Sequence, residues 1–467
     1  MTHNKTLIAP LFVTLALASQ AALANVGAVY GFGSQAGATA NTEVANVEGS
    51  FAAYTNPAFL SLSRVNKLQF AWSLVTMDPQ FTPINNVIVE NTYLSDKVRK
   101  DSVVDDYRST IGQAFSIQFK PIESFFHLGL GLVAYLPIEQ LAYMDTGEPF
   151  VPEYSLYRGR THRPQIELGA SVEPVQNFTI GAGLHLGYTL TSYAQVFLNT
   201  SADKPSWIRF SSSLKPKLAP YFGLGFQSSD KDPTFTAGAV VRLPLAASNQ
   251  MLLKSGARVF GSFAAVDFNF NALSALFYDP LRVELGVTVQ PLHFLKVRAE
   301  ADFEAWTLFE ASTLTIQDPT SACDNTDSSA CGISISAGKT PKLPLVNTWT
   351  PKVGTEFAVT EDVTLRLGYA YVPSIFSALP TGAANFLDPP KHSLNAGLGY
   401  HFTNFLGIAE SASIDAHFSY HLLKTQTIVK AAGDEAGGGS GDLKIGAPGY
   451  DAGGRVLGGG LSATLHL

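Results

Sequence analysis

Along much of the chain, apolar and polar residues alternate one by one. From Leu295 to Trp306 one set is Leu295, Val297, Ala299, Ala301, Phe303 and Ala305. The intervening set is Lys296, Arg298, Glu300, Asp302 and Glu304. On a helix these charges would scatter around the axis. On a strand they share one face, because successive side chains point to opposite sides. The pattern recurs in Leu281–Val289, where Arg282 and Glu284 oppose Leu281, Val283, Leu285 and Val287. It recurs in Val363–Tyr371 around Arg366, and in Ile414–Leu422, where Asp415, His417, Ser419 and His421 oppose Ile414, Ala416, Phe418, Tyr420 and Leu422. The last residues alternate too, from Leu461 to Leu467.

Fourteen such segments are predicted: 67–77, 110–120, 127–137, 163–173, 178–190, 214–227, 234–243, 281–290, 293–306, 349–359, 362–372, 392–402, 412–424 and 456–467. Short connections alternate with long ones, as in an antiparallel barrel with tight turns on one side and long loops on the other. The short ones are Glu123-Ser124, 174–177, 228–233, Pro291-Leu292, Glu361 and 403–411. The long ones are 78–109, 138–162, 191–213, 244–280, 307–348, 373–391 and 425–455. Segment 253–270 also resembles a strand. Counting it would make fifteen and break the alternation, so it is assigned to the 244–280 loop as an extension above the membrane.

Composition narrows the class. The chain is 46% hydrophobic and 15% charged, against roughly 25% charged in a typical soluble domain. No segment after the first residues supplies 18 uninterrupted apolar residues, so helical spans are excluded. His3 and Lys5, the apolar stretch Leu7–Ala18 and the Ala22-Leu23-Ala24 site read as an export signal over 1–24, removed before Asn25. An exported, apolar chain without helical spans has one membrane solution. A closed barrel pairs every backbone group between strands. The expected fold is therefore all-β, a membrane-spanning antiparallel barrel over 67–467 in the outer membrane. Residues 25–66 lack a strict period and are read as a plug folded into the lumen.

The formal net charge of −7 becomes −8 once Lys5 leaves with the signal, which argues against a nucleic-acid partner. Cys323 and Cys331 share one polar loop and are expected to form a disulfide in an oxidising compartment. No metal or cofactor motif is found. The lumen-facing charges are expected to form ion pairs for the most part, because confined unpaired charge is unfavourable. Arg282, Lys296, Arg298 and Arg366 are the candidates to receive a ligand carboxylate. In the 244–280 loop, Phe260, Phe263, Phe268, Phe270, Leu273 and Phe277 crowd a segment outside the membrane, which marks a capture site for a greasy ligand. Asp415, His417, Ser419 and His421 contain the ingredients of a hydrolase. Side chains two residues apart on a strand start about 6.6 Å apart, which is loose for a triad. They are read as a polar lumen stripe, and the protein as no enzyme.

The stretch Glu43–Leu60, EVANVEGSFAAYTNPAFL, resembles the N-terminal hatch of the FadL family of outer-membrane long-chain fatty acid transporters, including its Asn56-Pro57-Ala58 motif. Asp302–Phe309, Leu365–Ser374 and Asp388–Phe402 resemble the same family in the same order. The resemblance implies a fourteen-stranded barrel plugged by a hatch. It implies passive transport of hydrophobic compounds without ATP or metal. It also implies a lateral exit at a kink in the third strand, where Gly129 and Gly131 lie, with Asn56, Pro57 and Ala58 beside it. A monomer is expected, in contact with outer-membrane lipid and lipopolysaccharide. The competing class is a general porin or an adhesin-like barrel.

Overall fold

In the computed structural model, residues 31–62, 68–91, 99–103, 107–122, 127–138, 152–154, 157, 163–199, 207–229, 233–258, 265–308, 315–323, 344–380, 386–407, 409–430, 443–445 and 447–467 are described. The export-signal reading of residues 1–24 falls outside them.

Fourteen strands form the frame: β1 (Leu68–Phe81), β2 (Thr110–Ile122), β3 (Leu128–Pro137), β4 (Gln165–Val175), β5 (Phe178–Asn199), β6 (Trp207–Gln227), β7 (Phe235–Arg242), β8 (Arg282–Leu292), β9 (Leu295–Glu304), β10 (Thr348–Ala358), β11 (Val363–Val372), β12 (Lys391–Phe405), β13 (Ala409–Val429) and β14 (Gly449–His466). Each pairs antiparallel with the next. The ring closes where β1 meets β14, from Gln69↔His466 to Phe81↔Gly454. Closure leaves no barrel edge unpaired, which is what hydrocarbon demands of a backbone that crosses it.

Alternation decides which face looks where. Phe222, Leu224 and Phe226 on β6, Leu285, Val287 and Val289 on β8, and Leu394 and Leu398 on β12 are exposed on the outside. Their sequence neighbours point in and are buried: Tyr221, Arg282, Glu284, Ser393 and Asn395. An apolar exterior around a polar interior is the arrangement of a barrel bathed in lipid.

Several strands run past the segments that alternation marked, four of them furthest: β5 reaches Asn199, β6 begins at Trp207, β13 reaches Val429 and β14 begins at Gly449. The 244–280 region is a hairpin of Leu245–Arg258 with Ala265–Asp279. Its first strand pairs in parallel with Leu190–Asn199 of β5, and its second with Thr315–Cys323. Segment 253–270 therefore takes in parts of two antiparallel strands and is not one strand. An alternating sequence keeps pairing wherever a neighbouring edge is offered, whether or not lipid lies outside it.

Residues 31–62 lie inside the ring, with three short helices, α1 (Ser34–Ala38), α2 (Ala52–Thr55) and α3 (Phe59–Leu62). Their contacts reach strands on every side. Ser34 N donates to Ser462 Oγ of β14 (3.1 Å), and Gln118 Nε2 of β2 donates to the Gly49 carbonyl (3.1 Å). Thr236 Oγ1 of β7 donates to the Ala45 carbonyl (2.6 Å), and Lys352 Nζ of β10 to the Asn41 carbonyl (3.3 Å). So short a chain, with so few internal backbone bonds, takes its shape from the wall around it.

Candidate functional site

The inner segment and the wall it touches form the candidate site, and its chemistry changes around the circumference. From β7 to β13 the wall is charged. Arg298 of β9 binds Glu43 of the inner segment at 2.8 Å, and it also binds Glu356 of β10. Glu356 binds Arg366 of β11 at 2.7 Å, and Arg366 binds Asp415 of β13 at 2.6 Å. Lys352 lies between Glu300 and Asp302, at 2.8 and 2.6 Å, while Glu300 accepts the Val44 N–H at 2.9 Å. Arg282 meets Glu304 at 2.7 Å and Glu284 at 3.3 Å. Arg242 pairs with Glu284 and donates to the Tyr54 and Thr55 carbonyls at the end of α2, with the Tyr54 and Tyr221 rings on either side. Burial pushes the Glu43 carboxyl above its ordinary value, and Arg298 only partly opposes this.

Arg282, Lys296, Arg298 and Arg366 are thus all engaged by carboxylates of the chain itself, Lys296 by Glu48 at 2.6 Å. Strict alternation identified the inward face of these strands but not the acids, on other strands and on the inner segment, that occupy these cations. Sequence reasoning passed over a different cation. Lys391, at the outer end of β12, is buried; its ammonium reaches the Tyr157 hydroxyl (3.1 Å) and lies 5.1 Å from that ring's centroid. No carboxylate pairs with it among the described residues. Tyr157 comes from a long outer connection, so no local spacing could have revealed the contact.

From β1 to β6 the wall meets the inner segment mainly through apolar side chains and glycines, with Glu167 of β4 and a few amides also buried. Ala71 and Val75 of β1, Ala114 of β2, and Val133 and Tyr135 of β3 pack with Phe32, Phe51, Tyr54 and Leu60 of the inner segment. Phe32 stacks on Tyr135 at 5.5 Å. Gly129 and Gly131 of β3 form the seat of Leu60. A Cβ at Gly129 would strike the Leu60 and Ser61 backbone, and one at Gly131 would lie 2.6 Å from Leu60 Cδ2. Only glycine allows this approach. Both glycines pair with β4, and the ladder runs unbroken from Gly129 to Tyr135. The strand is closed here, and its glycines hold the inner segment.

The Asn56-Pro57-Ala58 motif is displaced from that position. Asn56 is fully buried and its Nδ2 donates to the carbonyls of Val44 (2.9 Å) and Leu224 of β6 (3.0 Å), while its Oδ1 accepts the Ala58 N–H (3.1 Å). Pro57 and Ala58 press on Gly181 of β5. The motif therefore sits over β4 to β6, and Leu60, a few residues on, is what rests on β3.

Asp415, His417, Ser419 and His421 do face inward and are buried. Asp415 is held by Arg366, the His417 ring abuts Gly37 of α1, and Ser419 abuts Gly458. No hydrogen bond links Ser419 to His417 among the described residues. Phe260, Phe263 and Cys331 lie outside the described residues. Phe268, Phe270, Leu273 and Phe277 are placed on the hairpin strand Ala265–Asp279 by register alone, opposite Ser255, Leu253, Gln250 and Ala247. Cys323 ends the strand Thr315–Cys323.

No family model matches the sequence, and no curated protein does. Solved structures do. A FadL homologue from Pseudomonas aeruginosa superposes with a TM-score of 0.58 at 15% identity, covering 93% of this chain and 98% of that one. The P. putida toluene transporter TodX gives 0.55 at 12% identity, covering 94% and 99%. The CymD monoaromatic hydrocarbon channel gives 0.51 at 11%, covering 95% and 99%. Likeness over nearly the full length of both chains establishes the architecture: this chain has the FadL-type fold, a fourteen-stranded antiparallel β-barrel.

Proposed function

We propose that this barrel takes up small hydrophobic compounds, long-chain fatty acids or hydrocarbons among them, by passive diffusion past an inner segment that acts as a hatch. The observation that carries the reading is the packing of residues 31–62 against strands on every side of the ring. A general porin needs an open aqueous lumen, and here apolar side chains and ion pairs occupy that space. The similar structures named for toluene and monoaromatic hydrocarbons support the ligand class.

Physically, an apolar ligand gains about 0.8 kcal/mol for each CH₂ it buries. A series of apolar surfaces can therefore draw it inward without ATP. The Leu60 seat is the point where a small shift of the hatch would expose the β3–β4 wall, whose other side is lipid. A lateral exit there spares the ligand a return to water. Lys391, which has a hydroxyl but no carboxylate partner among the described residues, is a better candidate than the four paired cations to meet an acidic head. No cofactor takes part.

The test compares the full-length protein with one lacking residues 25–60, in planar bilayers and in uptake assays with radiolabelled hexadecanoate and toluene. Low conductance that rises on deletion, with uptake by the intact protein, is the expected result. Large steady conductance of the intact protein would favour a porin, and unchanged conductance after deletion would remove the hatch assignment.

A further inference from the structure

Among the buried carboxylates of the described residues, Glu167 alone leaves both oxygens without a hydrogen bond. It projects inward from β4, fully buried, with Val133 and His185 as its cross-strand neighbours. The nearest partner is His185 Nε2, at 3.7 Å, beyond hydrogen-bond reach. His185 in turn lines a cavity with Tyr221, Arg242, Asp279, Pro280 and Arg282. The two cations of that cavity, Arg242 and Arg282, are committed to Glu284, and its Asp279 is held by Arg163. Glu167 also lies one pleat from Gly169, against which Leu60 and Pro57 of the hatch rest. It thus stands beside the apolar seat, on the side nearer the outer end of β4.

We infer that Glu167, with His185 beside it, is a recognition point for a hydrogen-bond-donating head on an otherwise apolar ligand, favouring alcohols and phenols over the parent hydrocarbons. The inference rests on the uptake reading above and deepens it. A buried acceptor with no donor is strongly unfavourable, so a partner that brings a donor gains what the empty site lacks. A hydroxyl supplies one O–H without bringing charge. A hydrocarbon supplies none. A carboxylate brings no donor and carries a charge into a dry site, so it is disfavoured at this point.

The experiment measures displacement of a fluorescent apolar reporter from the purified full-length protein by 1-dodecanol, dodecane and dodecanoate. Dodecanol is expected to bind about tenfold more tightly than dodecane, the size expected of one net hydrogen bond gained at a buried group. Glu167→Leu removes that preference and leaves dodecane unchanged. The similarly long Glu167→Met also removes both oxygens, does the same and serves if the leucine variant does not fold. Equal binding of dodecanol and dodecane, or a preference that survives both substitutions, overturns this inference alone. Binding of none of the three compounds overturns it together with the uptake reading.

Discussion

Between β8 and β13 the inner segment is held by charge; between β3 and β6 it is held by fit. On the first wall, Arg298 reaches from β9 to Glu43, and Glu300 caps the Val44 N–H. These bonds are directional, and breaking one strands an ion in a dry interior. On the second wall, Leu60 lies on Gly129 and Gly131 and Ala58 on Gly181. Such contacts are many, weak and undirected, and residues 57–62 can slide off them without breaking a described hydrogen bond to the wall, since those of Asn56 to Leu224 and of Tyr221 to Ala53 lie before them in the chain. The difference teaches where a plug can move and where it cannot. The Glu43–Val44 end is the fixed anchor, and the 57–62 end is the part that can lift.

Substitutions can break or sharpen this contrast. Arg298→Met has the largest expected effect, because it leaves Glu43 and Glu356 buried without their shared cation. It should lower stability by about 3–5 kcal/mol, read from urea unfolding of the barrel in detergent. A loss no larger than that of a surface substitution would show that the charged wall is no anchor. Gly131→Val should cost less, about 1–3 kcal/mol for overpacking. It should also lift Leu60 off β3 and produce new conductance steps in planar bilayers. Silent bilayers would mean that the glycine wall does not seal the lumen. Lys391→Met should weaken hexadecanoate binding about tenfold, or about 1.4 kcal/mol, and leave toluene binding alone, measured by reporter displacement. The smallest effect belongs to Lys296→Ala. Its pair with Glu48 is the more open one, with side chains 28% and 33% exposed, and pairs of that kind are worth about 0–1 kcal/mol.

How much of this was legible beforehand varies with the range of the interaction. The β9 face of Arg298, Glu300 and Asp302 could be read directly, since a period of two on one strand fixes what points inward. The hairpin over 244–280 was harder. Its alternation is that of a strand, but only the neighbouring edges of β5 and Thr315–Cys323 decide that it pairs above the barrel. Asn56-Pro57-Ala58 was recognisable as a motif, yet its place over β4 to β6 depends on how residues 31–62 fold inside a ring they do not themselves form.

Local alternation was enough to place the strands, their inward and outward faces, their number and the closed ring, because a backbone in lipid has no alternative to closure. Only the tertiary structure decided which charges cancel. Arg298 and Glu43 are 255 residues apart, and Lys391 meets Tyr157 across 234. No spacing rule connects positions so distant. They meet because the ring carries each strand to a fixed place on the circumference, and the lumen is narrow enough that every inward side chain must find its partner, or go without one as Glu167 does, across it.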